Sequence, residues 1–245
     1  MAFRNADRST CNDTVDSITG NYCNEMSIAF DAFSQYDEAT PRTTITNPHT
    51  CAGANRFLYV HILTSESSGA DIITSMTYNG VTMTRLNSIL AATSQRTYFY
   101  YLIAPATGTN NIVTTTTVNS QPSIRGSSFT GTNQTSFPDA SSSNTATGGA
   151  NLVLTVTTVA DNCWILAGAR SNSTAFTAGA STTIRTTAAI NDVTADSNAA
   201  RTPAGSQSLT LVTGGSSNSG GIVASLAPAA AAPTGNRNTG FFMFG

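Results

Sequence analysis

Lysine is absent from this chain of 245 residues: its positive charge is eleven arginines, and charged residues make up only 10% of the sequence. That absence excludes Schiff-base catalysis, a P-loop lysine and a Ser-Lys dyad outright. A soluble domain usually carries about 25% charged residues, so hydroxyls and amides must solvate this surface instead. Basic excess is also missing. A net charge of −2 and a pI near 5.5 leave no field to neutralise phosphates, so no nucleic-acid partner is expected. No apolar run approaches the roughly 18 residues of a membrane span, and no membrane partner is expected. The opening residues, from Met1 through Arg4 and Arg8 to Cys11, form no apolar signal core, which predicts synthesis without a secretion signal.

Catalytic constellations are equally scarce. Neither Gly-x-Gly-x-x-Gly nor Gly-x-Ser-x-Gly occurs, so the phosphate cradle and the nucleophile elbow are both missing. Of the two histidines, His49 lies in the turn-like Asn47-Pro48-His49. His61 alternates with Tyr59 and Phe57, which puts it on a sheet face in a structural role. Asp37-Glu38 is the only adjacent acidic pair, and turn capping explains it as well as catalysis does. Asp31 with Asp37, or Asp192 with Asp196, are the carboxylate pairs considered for calcium, though neither spacing matches a defined loop. No catalytic residue, metal site or cofactor is expected.

What the chain does have is strand chemistry. Short β-branched and aromatic runs bounded by Gly, Asn, Ser and Pro predict strands at Ile28–Phe33, Thr43–Thr46, Arg56–Leu63, Ile72–Tyr78, Val81–Leu86, Thr97–Ile103, Asn111–Val118, Ser123–Phe129, Leu152–Thr158, Cys163–Ala169, Thr182–Thr187, Ser208–Val212 and Ile222–Leu226. Asn79-Gly80 between two alternating runs predicts a type I′ hairpin, with Met76 and Tyr78 sharing one side of a strand and Val81 and Met83 sharing a side of the next. Threonine supplies the exposed faces, since its branched Cβ suits the pleat and its hydroxyl meets water. No long amphipathic helix is evident. The fold expected is therefore all-β, an antiparallel two-sheet β-sandwich of jelly-roll type. It would span residues 26–228, with an N-terminal arm at 1–25 and an Ala/Pro linker and Phe-rich tail at 229–245.

Four cysteines, Cys11, Cys23, Cys51 and Cys163, allow three complete pairings, and none has zinc-site spacing. The preferred pairing is Cys11–Cys23 with Cys51–Cys163, which would imply an oxidising surrounding. Phe241, Phe242, Met243 and Phe244 form an apolar knot after the linker and are the candidate assembly contacts. Trp164 sits in a strand that reads as core. Tyr98, Phe99, Tyr100 and Tyr101 are the aromatics considered for a sugar platform, since consecutive aromatics place some on the outward face. The opposing expectation is that one face of their strand packs the core while the other meets a second sheet or a subunit.

Several of these segments occur in a familiar order: Asn55-Arg56-Phe57-Leu58-Tyr59-Val60, the Thr77–Thr84 hairpin, Tyr101-Leu102 followed by Pro105-Ala106-Thr107-Gly108, Ser128-Phe129-Thr130-Gly131 and Gly221–Leu226. Over roughly residues 45 to 228 the chain resembles a family of Thr/Ser-rich β-sandwich domains found in bacteriophage virion proteins and in surface proteins from environmental sequences. The resemblance implies a sandwich fold and no catalytic residues. The arm and the tail lie outside it.

Joined to the neutral surface, the resemblance leads to the expectation of a structural virion protein. The specific form is an exterior capsid decoration or minor capsid subunit, partnered by copies of itself and other virion proteins. Release by lysis would reconcile exterior chemistry with cytoplasmic synthesis. The alternatives are an extracellular filament or adhesin subunit at the cell surface, and a carbohydrate-binding module with a glycan partner.

Overall fold

Phe57–Thr64 is a strand of eight residues, every one buried. A sheet with one wet face would bury only alternate residues, so this strand must be covered on both sides. The computed structural model, which describes residues 27–230 apart from 67, 93, 188–190 and 216, shows what covers it. Residues 27–229 form one compact unit built entirely of antiparallel sheets.

The first sandwich pairs an inner sheet with an outer one. The inner sheet runs in the order β1 (Ala29–Asp37), β9 (Ser123–Thr130), β3 (Phe57–Thr64), β7 (Gln95–Ile103), β6 (Thr84–Ala92). The outer sheet runs β2 (Arg42–Cys51), β8 (Gly108–Ser120), β4 (Ile73–Tyr78), β5 (Val81–Thr82). Apart from the hairpins β4–β5 and β6–β7, successive strands switch between the two sheets, and the orders β1-β9-β3-β7 and β2-β8-β4-β5 are the jelly-roll winding. Ile45, Leu58, Val60, Ile62, Met76, Tyr98, Tyr100 and Ile112 fill the core between them.

The second sandwich repeats the plan. Its inner sheet runs β10 (Ala140–Ala146), β17 (Ser219–Leu226), β12 (Trp164–Ser171), β15 (Asp192–Asp196), β14 (Thr183–Ile184). Its outer sheet runs β11 (Leu152–Thr157), β16 (Ser206–Thr213), β13 (Phe176–Ala178). Leu152, Leu154, Ile165, Ala167, Leu209, Leu211 and Val223 pack between them. Taken in chain order, the strands of the two sandwiches occupy the same places. Only β5 lacks a counterpart among the described residues.

The match reaches individual residues. Asn55 and Asn162 enter the central inner strands β3 and β12 with left-handed φ angles of 49° and 59°. Buried residues alternate along β2 at Ile45, Asn47, His49 and Cys51, and along β11 at Leu152, Leu154 and Val156. Asp31 accepts hydrogen bonds from Ser128 Oγ at 2.8 Å and Ala52 N at 2.9 Å. Asp139 accepts the equivalent pair from Ser225 Oγ at 3.0 Å and Val159 N at 2.8 Å.

The inner sheets pack face to face, giving four layers within the unit. Odd-numbered residues of β3 point at the second sandwich and even-numbered ones into the first core, so both faces of β3 are dry. Phe57, Tyr59, Phe99, Phe129 and Phe137 meet Trp164, Leu166, Ile222 and Leu226 in this middle layer. Ring centroids lie 4.7 Å apart for Tyr59 and Phe99 and 5.8 Å apart for Phe129 and Trp164. Each such side chain contributes about 1.5–3 kcal/mol by burial. His61 and Gly168 hold matched positions on β3 and β12, and they touch: a Cβ on Gly168 would fall 2.4 Å from His61 Cδ2. A position that contacts its own counterpart lies on the axis relating two isologous halves, so an approximate two-fold axis passes here.

Three strands were not legible as strands. β10 is Ala-Ser-Ser-Ser-Asn-Thr-Ala at a sheet edge, β13 has three residues, and β15 begins and ends in Asp, a residue depleted from strands. The single sandwich expected over 26–228 is two sandwiches. The Asn79-Gly80 turn has φ angles of 49° and 75°, as a type I′ turn requires. Val81 and Met83, however, do not share a fate. Val81 is 53% exposed while Met83 is buried, because the chain leaves the outer sheet after Met83 N bonds Met76 O at 2.9 Å and continues in the inner one. The arm at 1–25 with Cys11 and Cys23, and the tail with Phe241, Phe242, Met243 and Phe244, lie outside the described residues.

Candidate functional site

The middle layer changes character along its length. At the Phe57 end it is aromatic; toward Leu63 it turns polar and charged. β3 contributes His61, β7 Thr97, β9 Arg125, β12 Arg170 and β15 Asp192, with Asp37 at the end of β1. His61, Arg125 and Asp192 are all buried.

Arg125 ties the two sandwiches together. Its Nη2 lies 2.7 Å from Asp37 Oδ1 in its own sheet and 3.1 Å from Asp192 Oδ2 in the facing one. Its Nη1 donates to the carbonyls of Tyr36 and Ile124 at 3.2 and 3.1 Å. Arg170 reaches back the other way, its Nε donating to Gln95 Oε1 at 3.0 Å. His61 Nε2 hydrogen-bonds Thr97 Oγ1, and its Nδ1 lies 3.9 Å from Asp192 Oδ1. Burial drives the His61 pKa down to about 3, helped by the Arg125 and Arg170 charges. Burial also pushes the Asp192 carboxyl above its ordinary range, against the pull of the same two arginines. The neutral imidazole thus sits beside an ion pair drawn from both halves. The cluster works as a latch between the sandwiches.

A second polar group lies in the seam between β1 and β2. Ser34 Oγ is 2.8 Å from His49 Nδ1, and Asn47 Nδ2 donates to Ser34 Oγ at 3.3 Å. Although this brings a hydroxyl to an imidazole, a triad needs the far ring nitrogen held by an acid. His49 Nε2 is buried with no hydrogen-bond partner, and the Asp31 carboxylate is committed to Ser128 and Ala52. Burial lowers the His49 pKa to about 4, with Asp31 opposing, so the ring is a neutral strut. His49 belongs to a strand, not to the turn expected from Asn47-Pro48-His49. β2 is an edge strand, where proline's missing N–H costs no ladder bond.

The remaining sequence candidates separate. Cys51 and Cys163 are both buried free thiols, which corrects the expected Cys51–Cys163 disulfide. Cys51 closes β2 in the core of the first sandwich, whereas Cys163 lies before β12 in the second, its Sγ 3.2 Å from Ala160 O. Burial raises both thiol pKa values, that of Cys163 to about 12. Glu38 caps the β1–β2 turn, accepting from Thr40 N at 3.0 Å. Asp196 forms a two-pronged pair with Arg185 at 2.6 and 2.9 Å, leaving neither Asp192 nor Asp196 free for calcium. Among the described residues no group of three His, Cys, Asp or Glu is placed to hold a metal.

Tyr98 and Tyr100 are buried in the first core, Phe99 lies in the middle layer, and Tyr101 is half-buried against that layer beside Phe57 and Phe137. The platform considered for sugars therefore faces inward, and the opposing expectation describes the strand. Trp164 is core, as expected.

Sequence reasoning missed Arg125, Arg170 and Thr97 as one group with His61 and Asp192. A lone Arg in each of two Ser- and Ala-rich strands was the only signal available. No protein-family model and no curated protein matches this chain.

Proposed function

We propose that this chain is a structural subunit of a bacteriophage particle. It sits on the exterior as a capsid decoration or minor capsid subunit, and it acts through subunit contacts, not catalysis. The observation that carries this reading is the burial pattern. The middle layer takes up His61, Arg125, Asp192 and a cluster of aromatic side chains from the two jelly rolls, and the outward faces carry Thr44, Thr46 and Thr115 on one side and Thr155, Thr157 and Thr210 on the other. Such a face attracts neither nucleic acid nor stray counter-charge, which suits a surface that must sit beside many copies of itself. Contacts between copies would be supplied by the tail, with Phe241, Phe242, Met243 and Phe244 docking on a neighbouring subunit.

Immunogold labelling of intact particles tests the location. Gold on undisturbed particles is expected, whereas label only after disruption, or no chain in purified particles, would sink it. Deleting residues 229–245 should abolish assembly in light scattering while the unit still melts cooperatively. Thiol alkylation of the unfolded chain should label Cys51 and Cys163 without reductant and Cys11 and Cys23 only after reduction.

A further inference from the structure

At one end of the first outer sheet β4 stops while β8 runs on, and the step between them is an open groove of about 360 Å³. Asn79, Gly80, Thr109, Asn110, Asn111 and Val113 line it. No titratable side chain is among them. We propose that this groove binds a neutral oligosaccharide.

The amide chemistry argues for that ligand. An asparagine side chain offers one acceptor and two donors in a plane, which matches the paired donor and acceptor of neighbouring sugar hydroxyls. Asn79 and Asn111 are exposed, and among the described residues their side chains make no hydrogen bond. Asn110 spends its Nδ2 on the carbonyls of Thr107 and Gly108 at 3.2 and 3.3 Å, which fixes the amide and leaves its Oδ1 as an acceptor. Thr109 is held by Thr50 through a 2.7 Å hydroxyl pair. Val113 adds a small apolar patch for the C–H face of a pyranose ring, and the rest of the lining is polar.

The groove is also stiff. Asn79 and Gly80 hold the left-handed φ angles of the hairpin, and Asn79 N bonds Asn111 O at 3.1 Å, so little order is lost on binding. A Cβ on Gly80 would meet nothing within 4 Å, so the wall at the hairpin tip is open to a ligand. An acidic glycan has no cation here to pair with. An acidic or basic peptide finds no charge of opposite sign among these lining residues either.

Two substitutions remove the amides without harming the fold. Asn79→Gly keeps a residue suited to the type I′ turn, and Asn111→Thr raises strand propensity on an exposed face. The full chain should be applied to an array carrying neutral hexose and N-acetylhexosamine oligosaccharides beside sialylated and sulfated ones, with melting temperature measured in parallel. Neutral glycans should bind, and the double variant should bind roughly tenfold more weakly or worse, the loss expected for one or two hydrogen bonds, with its melting unchanged. Silence across the neutral glycans, a preference for charged ones, or equal binding by the double variant would overturn the proposal. The location of the chain in a particle bears on none of these outcomes.

Discussion

The two jelly rolls of this chain share a winding order, yet matched positions carry different chemistry. His61 in the first faces Gly168 in the second, Thr97 corresponds to Asp192, and Arg125 to Ile222, as the registers of β3 with β7 and β9 and of β12 with β15 and β17 imply. Two large side chains cannot both occupy an axis position, so one half supplies a ring and the other a gap. The charges divide likewise: one half brings a guanidinium, the other the carboxylate that meets it. What the halves keep in common is structural, the Asp31–Ser128 and Asp139–Ser225 braces. Symmetry is preserved where each sandwich holds itself together and abandoned where the two must fit each other.

Acid should break the comparison most strongly, because both histidines belong to the first sandwich. His61 and His49 stay neutral in the fold down to about pH 3 and 4, while in the unfolded chain they protonate near 6.5. The unfolded state therefore binds more protons below pH 6.5. Stability is full above that value and falls as pH drops, by up to about 1.4 kcal/mol per pH unit for each ring. Asp192 has a raised pKa and titrates with the opposite sign, offsetting part of the loss at the acid end. Urea denaturation at stepped pH should show this slope, and His49→Gln should remove about half of it.

Replacing Asp192 with Ala leaves Arg125 only the half-exposed Asp37, a loss of about 1.5–3 kcal/mol in denaturant unfolding, the range for a hydrogen bond to a charged group. Gly168→Ala should cost about 1–3 kcal/mol by overpacking against His61, and in a His61→Ala background most of that cost should vanish. A double-mutant cycle by denaturant unfolding measures the coupling; additive losses would mean the two residues do not share the axis. Asp31→Ala and Asp139→Ala should each lose about 1–3 kcal/mol by orphaning a backbone N–H and a serine hydroxyl. A loss confined to one of them would break the equivalence of the halves. Val81→Thr, on an exposed and short strand, should stay within about 0.5 kcal/mol.

Much of the fold was legible because strand signals are local. β3, β8, β11 and β12 announce themselves by β-branched and aromatic runs, and Asn79-Gly80 marks its turn without any tertiary help. The doubling was not legible, because the matched positions that would reveal a repeat are the ones that diverged: Tyr59 against Leu166, His61 against Gly168. β15 was hidden for a related reason. Its terminal aspartates read as loop until Arg125 and Arg185 are seen to meet them. The latch leaves no sequence signature beyond a lone Arg in each of β9 and β12, since its members come from strands brought together only by the face-to-face packing. Cys51 and Cys163 show the converse, a pairing plausible by counting that separate cores rule out.

If the two jelly rolls are held as one body by the middle layer, they must melt together. Scanning calorimetry of the full chain, followed in parallel by fluorescence of its single tryptophan, tests this directly, because Trp164 lies in that layer. One transition is expected, with calorimetric and van't Hoff enthalpies in agreement and the Trp164 signal changing at the same midpoint. Two resolved transitions, with the Trp164 change complete in the first, would contradict it.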